Sequence, residues 1–190
     1  MTAGSADGLS IEARTGSADD TRALAASLAP VLSPGDVLLL VGDLGAGKTT
    51  FAQGLARGLG VTEQVTSPTF TLVRPYACAT ATAGDHDHIR GNGRPPVQTM
   101  LHADLYRMDR LREVADLALG EMVEDGAVAV VEWGDVGAPV LGPAALVARI
   151  AEPHDDVDAR LVTIEVPPDR AELAGPLRAA LARWARPAEG

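Results

Sequence analysis

Lysine occurs once in this 190-residue chain, at position 48, and the other fifteen basic side chains are arginines. Lys48 lies in Gly42-Asp43-Leu44-Gly45-Ala46-Gly47-Lys48-Thr49, which fits the phosphate-loop pattern G-x-x-x-x-G-K-[ST]. Arginine supplies positive charge everywhere else, so bulk charge does not explain a lysine here. A compact ammonium on a flexible stem reaches between β- and γ-phosphates, where a planar guanidinium fits poorly. Gly42 and Gly47 permit backbone angles that turn successive N–H groups toward an anion. The candidate nucleotide-binding surface therefore runs through Asp43, Leu44, Gly45, Ala46, Gly47, Lys48, Thr49 and Thr50. Within it, Lys48 is also a candidate catalytic group, and the Thr49 hydroxyl is a candidate Mg²⁺ ligand.

The competing explanation is a chance match in a loop, and the neighbouring sequence opposes it. Asp36 to Val41 is a short apolar run that predicts a buried strand. Phe51 to Leu59 has helical spacing, with Phe51, Leu55 and Leu59 on one face and Gly58 and Gly60 as stop signals. Strand, glycine-rich turn and helix is the arrangement a phosphate loop needs.

Such a loop also needs acidic groups to hold Mg²⁺ or its waters and to orient a nucleophile. Ala127 to Val131 is continuously apolar and is followed at once by Glu132, which reads as a Walker B strand. Met100-Leu101-His102-Ala103-Asp104 is shorter and less apolar but ends in the same way. Glu132 and Asp104 are candidate catalytic and metal-binding carboxylates; for each the alternative is a surface carboxylate opening a loop. Asp85, His86, Asp87 and His88 resemble a metal tract but lie where no rigid frame is expected, so a solvated loop is the better reading. His102 reads as a packed strand residue. Trp133 reads as packing, with a nucleotide or partner contact as the alternative, and Trp184 as packing its helix onto the sheet.

These groups must be positioned by the remaining elements. Leu9 to Ala13 predicts a first strand. Ser17-Ala18-Asp19-Asp20 resembles a capping box with Asp in place of Glu, starting a helix expected to reach about Leu32. Ser33-Pro34-Gly35 is a turn. Val65 to Tyr76 is β-rich and broken by Pro68, Thr99 to Leu105 is a strand, and Leu111 to Glu124 is helix-like. Leu146 to Ala151 and Leu161 to Val166 flank an acidic turn and predict a β-hairpin; Asp169 to Trp184 predicts a C-terminal helix. Residues 77–97 have no usable periodicity and read as a flexible loop insertion. The fold class is α/β: a P-loop NTPase-like mixed sheet flanked by helices in a single compact domain. That domain is expected over 9–186, with a disordered 1–8 and a short tail at 187–190.

Composition narrows the classes. Hydrophobic content of 46% opposes global disorder. No run approaches a membrane span, and Met1 to Leu9 lacks a signal-peptide pattern, so a cytoplasmic protein with no membrane partner is expected. One cysteine, Cys78, excludes an intramolecular disulfide. A net charge of −10 with scattered arginines disfavours strong direct binding of RNA or DNA.

Taken together, GDLGAGKTTF (Gly42 to Phe51), VTSPTFTLVRPY (Val65 to Tyr76), LHADLYRM (Leu101 to Met108) and VEWGD (Val131 to Asp135) resemble the TsaE family. These are small bacterial ATPases required for the threonylcarbamoyladenosine modification of tRNA. The phosphate loop is shared by many families; SPTF followed by DLYR and EW is far more specific. The resemblance spans roughly residues 9–170. It implies ATP with Mg²⁺, slow hydrolysis, and association with TsaB and TsaD, which carry out the transfer to the adenosine beside the anticodon. Contact with tRNA is then indirect, and hydrolysis resets the complex between turnovers. By the same resemblance Lys48 holds phosphates, Thr49 and Glu132 hold Mg²⁺ or its water, and Asp104 is the second acid. Ser67, Pro68 and Thr69 take the place of a switch-like loop, and the stretch around Ser17 and Thr21 approaches the base. The departures are the long 77–97 segment and Ala103, where bulkier residues are common.

Two other functions fit a phosphate loop. A small-molecule kinase would use an arginine-rich lid, which Arg90 and Arg94 could imitate, although the surrounding Gly and Pro oppose an ordered closing helix. A nucleotide-gated adaptor would bind ATP without turnover, against which Asp104 and Glu132 argue.

Overall fold

The computed structural model describes residues 9–68, 72–79, 95–106, 119–133 and 142–185. Seven strands form one mixed sheet: β1 (Leu9–Thr15), β2 (Val37–Val41), β3 (Val73–Ala77), β4 (Thr99–Asp104), β5 (Val128–Glu132), β6 (Leu146–Ala151) and β7 (Arg160–Val166). Their spatial order is β1-β7-β6-β2-β5-β4-β3. The four central strands, β6, β2, β5 and β4, run parallel, and the outer pairings are antiparallel. The helices are α1 (Ala18–Leu28), α2 (Lys48–Gly58), α3 (Leu119–Glu124) and α4 (Ala174–Leu181). The α/β class and the mixed sheet expected from the sequence are the ones observed.

Both faces of β2, β4 and β5 are buried, which is why β2 and β5 read as continuous apolar runs. Alternate residues divide between two cores. Leu38, Leu40, Met100, Val128 and Val130 pack with α1 and α2, including fully buried Phe51, Leu55 and Leu59. Val37, Leu39, Leu101, Ala129 and Val131 face the opposite side, against Leu119. His102, Asp104 and Glu132 follow Met100 and Val130 by twos, so they lie on the face of α2, the helix that opens at Lys48.

Helix α1 starts with a variant of the capping box, in which the return bond comes from the residue before the N-cap. The Ser17 hydroxyl accepts from Asp20 N at 3.1 Å, and the Asp20 carboxylate accepts in return from Gly16 N at 3.0 Å. The helix ends at Leu28 rather than near Leu32, because Pro30 cannot continue it. It packs tightly on α2: a Cβ at Gly54 would meet Arg22 O at 2.3 Å, and one at Gly58 would meet Ala26 O at 2.5 Å.

The β-rich segment from Val65 becomes a strand only at Val73, on the sheet edge, where Pro75 leaves no central ladder bond missing. Cys78 is buried in the main core rather than lying in a loosely structured stretch. The C-terminal helix is three pieces: a 3₁₀ helix Pro168–Leu173 kinked at Arg170, α4, and a 3₁₀ turn Ala182–Trp184. Arg170 donates to Asp36 at 2.8 Å, tying this segment to the start of β2. Burial opposes the Arg170 charge, but the bonds to Asp36 and Glu172 outweigh it and raise its pKa above the usual value. Trp184 packs in the main core and donates its indole N–H to Asp20 at 2.7 Å, so it holds α1 as well as its own segment. Of the expected helix 111–124 only Leu119–Glu124 is described; the possible metal tract at 85–88, Arg90, Arg94 and Thr69 lie outside the described residues.

Candidate functional site

The loop between β2 and α2 lies beyond the C-terminal ends of the parallel strands. Its turn depends on Gly45 at φ 84° and Gly47 at φ 103°, a region a side chain resists. Gly47 is also the N-cap of α2, and no side chain caps the helix there. The first N–H groups of α2, with no acidic residue in that turn, therefore face the loop available to an anion.

Lys48 is held ready beneath this loop. Its ammonium donates to Gly42 O at 2.7 Å and Asp43 O at 2.8 Å, and it lies 3.8 Å from the centre of the Trp133 ring. Trp133 reaches that position with φ 59°, an unfavoured backbone conformation for a bulky residue. Tyr106 leans against its ring at a centroid distance of 4.9 Å.

The two acids are neighbours. Asp104 and Glu132 are register partners on adjacent strands, and only 6% and 4% exposed. Glu132 accepts from the Thr49 hydroxyl at 2.8 and 3.1 Å through its two oxygens. Glu132 Oε1 also lies 2.9 Å from His102 Nε2. Asp104 accepts from the Ser67 hydroxyl at 2.6 Å and from Tyr106 N at 3.0 Å. Lys48, Thr49, Thr50, Ser67, Asp104 and Glu132 thus share one cleft of about 420 Å³, rimmed by Leu44, Gly45, Gly47, Tyr106 and Trp133.

This donor set fits a hard cation. Two buried carboxylates side by side repel unless positive charge lies between or beside them, and the oxygens of Thr49, Glu132 and Asp104 are the ligand type Mg²⁺ prefers. The uncapped helix start and the lysine fit phosphate beside it.

A second cavity of about 140 Å³ adjoins the loop, lined by Thr21, Gly45, Gly47, Thr50, Val157 and Arg160 among others. Thr21 faces this cavity, with its hydroxyl bonded to Thr15 and Ser17 O. The Ser17 hydroxyl is engaged as the α1 cap. Ala46 is buried, and its carbonyl accepts from Arg160 Nε at 2.8 Å. A larger cavity of about 470 Å³ lies at the opposite, N-terminal ends of the parallel strands, where Pro34, Thr99 and Ala127 precede or open their strands. It has one carboxylate, Asp125, and no convergent polar cluster, so its size does not make it the centre of chemistry.

Three contacts escape sequence reasoning. Trp133 covers Lys48, His102 touches Glu132, and Arg160 braces the loop from a strand more than a hundred residues away. Spacing of 102 and 104 on one strand face was the available signal for His102; nothing local signals Arg160.

Comparison with known proteins addresses the family and the fold. Residues 15–162 match the profile of the family described as threonylcarbamoyl adenosine biosynthesis protein TsaE. The chain is 42% identical over 120 residues to the tRNA threonylcarbamoyladenosine biosynthesis protein TsaE of Bacillus subtilis, covering 63% of this chain and 64% of that one. It is 39% identical over 119 residues to the protein of the same name from Treponema pallidum, covering 63% and 75%. The match with the Mycobacterium tuberculosis protein of that name is 37% over 145 residues, covering 73% and 72%. The crystal structure of Bacillus subtilis YdiB superposes with a TM-score of 0.67 at 32% identity, covering 94% of this chain and 98% of that one. The matched sequence thus spans just under two-thirds of the first of these relatives, and the fold match spans nearly all of YdiB. Profile match, sequence identity and fold converge on one conclusion: the chain belongs to the TsaE family.

Proposed function

We propose that this protein binds and slowly hydrolyses Mg·ATP, and that this activity supports tRNA threonylcarbamoyladenosine biosynthesis by cycling with TsaB and TsaD. The observation that carries the proposal is the meeting of Lys48, Thr49, Asp104 and Glu132 in one cleft above the parallel strand ends. The names of the relatives support the pathway.

In this reading Lys48 binds the β- and γ-phosphates with the ammonium now shared by Gly42 O and Asp43 O. The N–H groups from Asp43 to Thr50 bind the remaining phosphate oxygens. Thr49 and Glu132 hold Mg²⁺ or its water, and Asp104 is the second acidic group that orients water. A bound Mg²⁺ supplies charge neutralisation on the phosphates. Trp133 and Tyr106 shield the cleft from solvent on one side. Thr21 and the cavity beside it are the proposed approach to the base, with Ser17 at the helix start holding that stretch in place.

The test is reconstitution with tRNA, threonylcarbamoyl-adenylate, TsaB and TsaD. This protein alone should release phosphate slowly and transfer nothing. Added to the mixture it should allow repeated tRNA modification, and its Lys48→Ala form should not. Equal turnover with and without it would reject the pathway role, and a phosphorylated small molecule would indicate a kinase.

A further inference from the structure

We propose that His102 is a positioning residue whose Nε2–H fixes the Glu132 carboxylate against Thr49 and so pre-forms the cation site. The inference rests on the Mg·ATP reading above and adds to it the group that holds the acid in place.

His102 is fully buried on β4, on the face that carries Asp104. It is the register partner of Val130, two residues before Glu132 on β5, so the glutamate side chain reaches back along its strand to meet the ring. Glu132 Oε1 lies 2.9 Å from His102 Nε2 and 2.8 Å from the Thr49 hydroxyl. An ionised carboxylate only accepts hydrogen bonds, so the imidazole proton belongs on Nε2. Nδ1 has no partner among the described residues. The ring's polar atoms therefore act in this structure through Glu132.

Packing alone does not call for histidine here. Met100, two residues earlier on the same face, fills the core without a polar atom, and burying an imidazole nitrogen is unfavourable unless its bond matters. The bond matters because, among the described residues, Glu132 is otherwise held only by Thr49, the hydroxyl that would itself turn to a cation. Two donors from two elements, β4 and α2, leave the carboxylate little rotamer freedom.

The experiment uses the full chain, with Mn²⁺ as the probe and a non-hydrolysable ATP analogue. Bound Mn²⁺ is counted from the electron paramagnetic resonance signal of the free ion; analogue binding is measured separately without metal. His102→Phe should weaken Mn²⁺ binding about tenfold, the scale of one lost bond to a charged group. Its metal-free analogue binding should be unchanged. His102→Gln keeps an N–H donor at similar reach and should recover most of the loss. ¹⁵N resonances of the wild-type ring, assigned by their loss in His102→Gln, should report a proton on Nε2 and a bare Nδ1. Unaltered Mn²⁺ affinity in a folded His102→Phe, a Gln variant no better than Phe, or a proton on Nδ1 alone would each overturn the proposal. Should His102→Phe not fold, the Gln variant and the ring tautomer still decide. Wild-type protein that takes up analogue but no Mn²⁺ would remove the Mg²⁺ reading and this inference together. Wild-type Mn²⁺ binding that ignores His102 would remove this inference alone.

Discussion

At the scale of single residues, the surroundings of Lys48 suit a lysine. Two carbonyls and an aromatic face converge on a point-like ammonium. An arginine there would push a wider, forked group against the Trp133 ring. Lys48→Ala should abolish tight nucleotide binding and Lys48→Arg should weaken it, as read by titration with a fluorescent ATP analogue; wild-type affinity in the alanine variant would reject the phosphate site. Thr49→Ala should instead mainly impair Mg²⁺-dependent turnover. The two acids allow a cleaner separation of chemistry from folding. In Glu132→Gln the amide oxygen can keep the Oε1 position that meets His102 and Thr49, with nitrogen at the more weakly bonded Oε2. In Asp104→Asn the amide nitrogen can donate to Ser67, whose hydroxyl also accepts. Both variants should keep their melting temperatures and lose on the order of a hundredfold in phosphate release, about 3 kcal/mol of transition-state stabilisation. Wild-type rates in both would mean that the acidic partners lie elsewhere.

At the scale of elements, α2, which opens from the glycine-rich loop, is seated by its contact with α1, and that contact depends on missing side chains. A methyl at Gly54 would come within 2.3 Å of Arg22 O and 2.6 Å of Arg22 Cα, which are backbone atoms and cannot swing aside. Alanine is the better helix former by roughly 0.5–1 kcal/mol. Overpacking against a backbone costs about 1–3 kcal/mol, so Gly54→Ala should be a net destabilisation of about 1–2 kcal/mol. Urea unfolding would measure it, and a stabilised variant would show that α1 yields easily. The same element shows what a sequence reveals. The strand, turn and helix around Lys48 were legible because each rests on a local rule: an apolar run, glycines at positive φ, and helical spacing of Phe51, Leu55 and Leu59. The β6–β7 hairpin was legible for the same reason. The early end of α1 was also encoded, in Pro30, although the apolar residues Val31 and Leu32 masked it; they are buried without being helical. By contrast, Trp133 over Lys48, His102 against Glu132 and Arg160 on Ala46 O depend on strand order and register. No window of neighbouring residues contains that information.

At the scale of the whole molecule, charge bears on the proposed indirect contact with tRNA. Twenty-six acidic residues against sixteen basic ones give a net charge of −10. Of the arginines described, several are already engaged: Arg14 with Asp155, Arg22 with Asp19, Arg149 with Glu165 and Arg170 with Asp36. Phosphate-backbone binding draws on cations free to displace counterions, and a chain with this balance offers few. Its long-range field repels a polyanion and favours a basic protein surface instead. Among the described residues, the exposed apolar side chains Leu44 and Tyr106 stand at the mouth of the cleft around Lys48, 78% and 54% exposed. The protein alone should therefore bind tRNA no more tightly than about 10⁻⁴ M near physiological salt, the weak end of non-specific affinity. In the presence of TsaB and TsaD it should be recovered on tRNA, and that recovery should need ATP and be lost with Lys48→Ala. Gel-shift titration of labelled tRNA with each combination reads both halves. Micromolar binding by the isolated protein with a steep salt dependence would place a basic surface on this chain and contradict the charge argument, while leaving the site around Lys48 untouched.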